Sequence, residues 1–129
     1  MTYAQAMECK ALHDKITELK EQMAVYEYGE QIIETYPMSK RQRINEEYNR
    51  LNRLVISYTA KADVIENWIS KVPDRVMQTY MYLRFVDGLT WKQIGARMNC
   101  KACTARKAVQ RYMAKEERRN AGEHENDAD

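Results

Sequence analysis

The feature that most constrains the fold is a stripe of apolar residues that repeats every three or four positions through the middle of the chain. Eight positions follow alternating steps of four and three: Ile44, Tyr48, Leu51, Val55, Tyr58, Ala62, Ile65 and Ile69. A period of 3.5 residues places all of them on one side of a helix. The sequence therefore predicts one helix from about residue 38 to about residue 71, roughly 50 Å long at the usual rise.

A second stripe with the same period lies near the N-terminus. Its positions are Cys9, Leu12, Ile16, Leu19, Met23 and Tyr26. Gly29 is the first expected interruption of this helix, and an end there and a continuation to Tyr36 both remain open. Pro37 ends whatever precedes it, because its ring pushes Tyr36 out of the helical region, and Ser39 is predicted to cap the next helix. Two such helices predict either an antiparallel hairpin or a coiled coil between chains.

The composition favours the same fold class. Only four glycines and two prolines occur among 129 residues, so the chain has few places to turn, and an all-α fold is expected rather than a many-stranded one. No glycine-rich phosphate loop is present. No apolar run reaches membrane-spanning length and no signal peptide is recognisable, so a soluble, cytoplasmic protein is expected. Three cysteines, an odd number, argue against a disulfide framework.

The charge is unevenly distributed along the chain. Residues 1–72 carry a net charge of −1, residues 73–119 one of +7, and residues 120–129 one of −4. From residue 88 to residue 112 there is no acidic residue and there are six basic ones: Lys92, Arg97, Lys101, Arg106, Lys107 and Arg111. A compact segment of one sign is typical of a surface that meets phosphates.

Pro73 marks a boundary before this basic segment. A helix is predicted after it, with Val76, Tyr80 and Leu83, and with Met77 beside them, on its apolar face. It ends near Gly88, because glycine readily adopts the left-handed conformation that closes a helix.

A short second helix is predicted from Trp91 to Met98. Thr90 and Gln93 have the spacing of a capping box, and Leu89 and Ile94 that of a hydrophobic staple. Asn99 tolerates the left-handed conformation and ends this helix. A third, basic helix over residues 102–117 follows after a tight turn. This order is that of a helix-turn-helix.

The last helix has two dissimilar faces. Ala105, Ala108, Val109 and Tyr112 form an apolar face, and we expect the small alanines, together with Gly95, to let the two helices cross closely. The opposite face is predicted to read bases: Ala102, Cys103, Arg106, Lys107 and Gln110. Flanking residues are predicted to bind phosphates: Thr90, Lys92, Arg97, Lys101, Thr104 and Arg111.

Residues 66–113, and above all residues 82–94 with the sequence YLRFVDGLTWKQI, resemble the C-terminal part of phage-encoded late-gene transcriptional activators of the ArpU and RinA type. That part is similar to region 4 of primary sigma factors, with a basic first helix, a start of the form GLT(W/L)xxI and a recognition helix. The preceding long helices follow the same layout, so the resemblance covers most of the chain.

The resemblance implies promoter-DNA binding in a phage or prophage setting, and contact with RNA polymerase as a second activity. Together with the boundary at Pro73, it predicts a helical hairpin or coiled coil over residues 1–72 and a sigma region 4-like helix-turn-helix domain over residues 73–119. The remaining residues, 120–129, are acidic and include a glycine, so an acidic disordered tail is expected there. The chain departs from the sigma pattern at Lys101, where Ser or Thr is usual. It departs again at Ala102 and Cys103, where long polar side chains are common.

Metal binding and catalysis find little support in the sequence. Cys100 and Cys103 have the spacing of half a zinc site, but the other candidate pair, Cys9 and His13, belongs to a different region. Cys100 is interpreted as an apolar residue of the turn. Neither histidine has a nucleophile at meaningful spacing, so no metal, no cofactor and no enzymatic activity are expected.

The sequence thus favours a sequence-specific, DNA-binding transcriptional regulator, with the N-terminal helices as a dimerisation element, a spacer or a contact with the transcription machinery. Two alternatives remain open. A small terminase-like packaging subunit also joins a helix-turn-helix to helices that oligomerise. An interaction protein would instead use the sigma-like module to bind RNA polymerase without reading DNA.

Overall fold

The computed structural model describes residues 1–28 and 35–127, and the regular secondary structure of these residues is helical, without a strand. The helices are α1 (Tyr3–Tyr28), α2 (Met38–Ser70), α3 (Arg75–Met81), α4 (Trp91–Met98) and α5 (Ala102–Asp127), with a π-helical turn (Tyr82–Val86) directly after α3. The predicted all-α class is confirmed. None of the helices described has both the length and the apolar character that crossing a bilayer requires.

The chain forms two compact units. The central unit is Ala11–Asp63, and the terminal unit combines Met1–Lys10 with Val64–Asp129. This grouping differs from the division predicted at residue 72, because the start of α1 packs with the C-terminal helices: the rings of Tyr3 and Phe85 meet edge to face, 5.3 Å between centroids. Helix α5 continues to Asp127, and the disordered tail over residues 120–129 stays a prediction.

The core of the central unit lies between α1 and α2. Leu19, Met23 and Leu51 are buried together, as the two heptad stripes predict. Five partly buried side chains pack around them: Tyr26, Tyr48, Leu54, Val55 and Tyr58. Tyr48 Oη donates a hydrogen bond of 2.8 Å to Glu27 Oε1 at the edge of this cluster, and that bond raises the pKa of the Tyr48 hydroxyl.

The predicted cap of α2 is wrong. Ser39 lies inside the helix, which begins at Met38, and the carbonyl of Pro37 accepts the first helical hydrogen bonds, from the amides of Lys40 and Arg41. Pro37 therefore stands directly before the helix, in the cap position predicted for Ser39, although proline has no side-chain oxygen to accept from the first amides. The predicted interruption at Gly29 lies outside the described residues.

The core of the terminal unit is built from every helix of that unit. The side chains that are completely inaccessible to solvent are Ala6, Cys9, Met81, Phe85, Ile94, Ala105 and Val109. Ile65 and Ile69 of α2 are buried as well, as the long stripe predicts. This core determines which sides of α4 and α5 remain exposed.

The apolar face predicted for α3 is partly wrong. Val76 is 52% exposed, whereas Met81, which the pattern did not select, is fully buried. Asp74 caps this helix, since its carboxylate accepts from the amides of Val76 and Met77 at 2.8 and 3.2 Å. The π-helical turn after Met81 adds one residue to the usual register, so a single 3.6-residue period does not describe the segment. Gly88 has the predicted left-handed conformation, with φ of +71°.

Candidate nucleic-acid interface

The start of α4 is fixed by its own sequence. Thr90 Oγ1 accepts from the Gln93 amide at 3.2 Å, and Gln93 Oε1 accepts from the Thr90 amide at 2.9 Å. These two bonds form the predicted capping box. Ile94 is fully buried and Leu89 half-buried, so the apolar residues on either side of the box are shielded as a staple requires. The N-terminal end of α4 is exposed to solvent at Thr90.

The turn between α4 and α5 is short and tightly packed. Asn99 ends α4 with φ of 54°, the predicted left-handed conformation, and the Cys100 amide then donates to the Gly95 carbonyl at 2.9 Å. A Cβ at Gly95 would lie 2.7 Å from the Cys100 oxygen and 3.0 Å from the Ala102 nitrogen. Gly95 therefore permits the close approach of the turn and of the first residue of α5.

Helix α5 has one buried face and one exposed face. On one side Ala105 and Val109 are fully buried and Met113 is 3% exposed, and α5 packs there against α3 and α4. The predicted packing residue Tyr112 is half-buried, and burial is the largest cause that raises the pKa of its hydroxyl. The buried face of α5 is therefore committed to the core.

The other side of α5 carries the residues predicted to read bases. Cys103, Arg106, Lys107 and Gln110 are all exposed, and Ala102 is half-buried against the turn.

 Gln110 also borders an open groove, which Tyr3, Met113, Ala114 and Glu117 line. The four exposed side chains leave this face of α5 accessible along its first three turns.

The residues predicted to bind phosphates flank that face. All of them are exposed: Thr90, Lys92, Arg97, Lys101, Thr104 and Arg111. Thr90 also serves as the cap of α4, where its oxygen accepts a hydrogen bond and its hydroxyl proton stays available to donate.

Within the described parts of the chain, the basic side chains of this region have no acidic partners. No ion pair found there involves any of the six basic residues between residues 88 and 112; the ion pairs of the chain include Lys15–Glu18, Arg50–Glu47 and Arg119–Glu116. The positive charge of the surface is therefore not neutralised locally. Uncompensated cations on one face produce a potential that attracts polyanions.

One basic residue that the sequence analysis did not select lies directly behind α4. The Arg84 guanidinium donates through Nη1 to the Leu89 carbonyl at 2.9 Å and lies over the Trp91 ring, 4.9 Å from its centroid. In the sequence, the only signal for this contact is that a basic residue and an aromatic residue lie near each other along the chain. Trp91 is half-buried.

The three cysteines lie in different surroundings. Cys103 is exposed on α5, and Cys100 is half-buried in the turn, 3.6 Å from the Tyr80 hydroxyl. This contact raises the pKa of Tyr80. Cys9 is buried, and its burial, followed by the negative charge of Glu66, raises the pKa of its thiol from 9.0 to about 11. At neutral pH the Cys9 thiol therefore keeps its proton.

Comparisons of the chain with protein-family models, with curated proteins and with solved structures gave no match.

Proposed function

We propose that this protein is a sequence-specific DNA-binding transcriptional regulator of the phage or prophage type. In this proposal α4 and α5 form a sigma region 4-like helix-turn-helix, and the first turns of α5 enter the major groove of a DNA duplex. A major groove about 12 Å wide accepts one α-helix, and the exposed side of that helix then contacts base edges.

The observation that carries the proposal is the separation of the two faces of α5. Arg106, Lys107 and Gln110 are exposed, while Ala105 and Val109, on the opposite side, are fully buried. An arginine or lysine side chain donates to the acceptors of guanine, and a glutamine amide pairs with adenine. A cationic face without a single acidic residue suits a groove between two rows of phosphates.

The short capped helix α4 supports the same proposal. Its N-terminus carries Thr90 and Lys92, both exposed, and the first amides of a helix favour an anion. We propose that this end lies against the DNA backbone, where it would fix the orientation of α5 without reading sequence.

The salt dependence of DNA binding tests this proposal. Neutralising on the order of four phosphates gives a slope of about −3 to −4 when the logarithm of the association constant is plotted against that of the salt concentration. The probe is a pool of random-sequence 30-base-pair duplexes, and binding is followed by fluorescence anisotropy. A slope near zero, or no binding at low salt, would contradict the proposal.

The role of Arg106 is tested with the same assay once a preferred site has been selected from the pool. Replacing Arg106 by Ala relaxes the preference among sequences if this side chain reads a base, and weakens all sequences equally if it holds a phosphate. Arg53→Ala is the matched control, because Arg53 is an exposed arginine of the central unit and the change in charge is the same.

For the long helices we propose an antiparallel hairpin. Leu19 and Met23 of α1 pack with Leu51 of α2, and Glu27, further along α1, bonds Tyr48, which lies earlier in α2. This reversed order supports the hairpin over a parallel pairing. Dimerisation through the hairpin, and contact with RNA polymerase, are further parts of the proposal; a dimer in solution would support the first, and capture of purified polymerase the second.

A further inference from the structure

Arg84 lies in the π-helical turn, and its side chain contacts the residues at the start of α4. Its guanidinium contacts the residue before Thr90 and the residue after it, since Nη1 donates to the Leu89 carbonyl and the planar group lies over the Trp91 ring. The Leu89 amide in turn donates to the Leu83 carbonyl at 3.0 Å. The amide and the carbonyl of Leu89 are therefore both hydrogen-bonded to the π-helical turn that contains Arg84.

Among the residues that the structure describes, no acidic side chain forms an ion pair with Arg84. Its Nε atom is buried without a hydrogen-bond partner, and the contacts to Leu89 and Trp91 are those that the structure describes for the rest of the guanidinium. An arginine held by a carbonyl and a ring keeps its full positive charge, whereas a carboxylate would neutralise it. The orientation of α4 is thus fixed by a group whose charge also favours an approaching phosphate.

The chemistry of this contact requires an arginine. A guanidinium is planar, so it can stack on an indole and donate along its edge in the same position, while the ammonium of lysine offers no such plane. A π-helical turn is rare and recurs at functional sites. Here it holds the side chain that bridges to α4.

We propose that Arg84 is the positioning residue of the DNA interface: it holds the N-terminus of α4 so that Thr90 and Lys92 meet the phosphate backbone. This inference rests on the proposed DNA binding. Arg84 acts through α4, and the loss of its contact would allow the cap to tilt although the six exposed cations remain in place.

The test compares Arg84→Lys with the wild-type chain, using the pool of random-sequence 30-base-pair duplexes. Lysine keeps the charge but loses the stacked, edge-bonded geometry, so the phosphate contacts that α4 makes are expected to weaken and the affinity to fall about tenfold. Arg53→Lys is the control and leaves the affinity unchanged. An Arg84→Lys chain with wild-type affinity would overturn the inference.

A double-mutant cycle separates positioning from a merely structural role. In the wild-type chain Lys92→Ala removes one phosphate contact; in the Arg84→Lys chain that contact is already lost, so Lys92→Ala should weaken binding by a much smaller factor. If Arg84 only stabilises the fold, the two effects multiply, and this result would overturn the inference.

Trp91→Phe keeps the test decisive if Arg84→Lys does not fold. Phenylalanine preserves a ring under the guanidinium but binds a cation less strongly, so a smaller loss of about threefold in affinity is expected, and no loss would contradict the inference. Failure of the wild-type chain to bind the duplex pool would overturn the proposed function together with the inference. Wild-type binding with an unaffected Arg84→Lys chain would overturn the inference alone.

Discussion

Gly95→Ala sets two physical effects against each other in the middle of the proposed helix-turn-helix. Alanine is the better helix former, by about 1 kcal/mol, and by that measure the substitution should stabilise α4. The added Cβ, however, would lie 2.7 Å from the Cys100 oxygen, 3.0 Å from the Ala102 nitrogen and 3.2 Å from the carbonyl carbon of Lys101. All three are backbone atoms, so a rotamer change cannot relieve the contact.

The magnitude follows from these distances. Forcing a methyl group into closely packed backbone costs about 1–3 kcal/mol. Moving the turn also weakens the hydrogen bond from the Cys100 amide to the Gly95 carbonyl, 2.9 Å long, which contributes about 1 kcal/mol. Subtracting the gain in helix propensity, we expect Gly95→Ala to lower the free energy of unfolding by about 2 kcal/mol.

Urea unfolding measures this difference. Trp68 and Trp91 both lie in the terminal unit, so tryptophan emission reports on the unit that contains the turn. The control is Ala96→Gly at the next, exposed position, for which helix propensity alone predicts a loss of about 1 kcal/mol. A Gly95→Ala chain as stable as the wild type, or more stable, would refute the close approach of turn and helix.

Two further predictions concern the cap of α4 and the buried thiol. Thr90→Ala removes the acceptor of the Gln93 amide and should cost about 1 kcal/mol in the same urea assay, whereas Thr90→Ser should retain most of that stability; equal losses would contradict the capping box. Because the folded chain raises the pKa of Cys9 from 9.0 to about 11, the thiol's contribution to stability is complete below pH 9 and is lost as the pH rises toward 11. The difference in thermal unfolding midpoint between the wild type and Cys9→Ala should therefore change across this range, and a difference independent of pH would contradict the raised pKa.

Local signals account for what the sequence predicts correctly. The bounds of α4, its capping box and the left-handed Asn99 depend on neighbouring residues alone, so the pattern of side chains determines them. The long stripe of α2 is equally clear, since the helix ends at Ser70, one residue from the predicted end. The predicted cap of α2 at Ser39 is wrong, because the helix begins one residue earlier and the carbonyl of Pro37 is its first acceptor.

The sequence does not predict contacts or burial that depend on residues distant along the chain or on unusual helical geometry. The regular period predicts Val76 in the core, but this residue lies in the first turn of α3, where its side chain is 52% exposed. The stacking of Arg84 on Trp91 depends on the π-helical turn. The contact of Tyr3 with Phe85 joins residues more than eighty positions apart, and no pattern within either segment indicates it.

The central claim is that the exposed face of α5 meets DNA, and the alkylation rate of Cys103 tests it most directly. Cys103 is exposed on that face, Cys9 is buried and Cys100 is half-buried, so each thiol can be followed separately by mass spectrometry after a pulse of maleimide. With saturating duplex the account predicts that Cys103 reacts at least about tenfold more slowly, since a helix within the groove is shielded from solvent. An unchanged rate at Cys103, under conditions where the duplex is bound, would contradict the account.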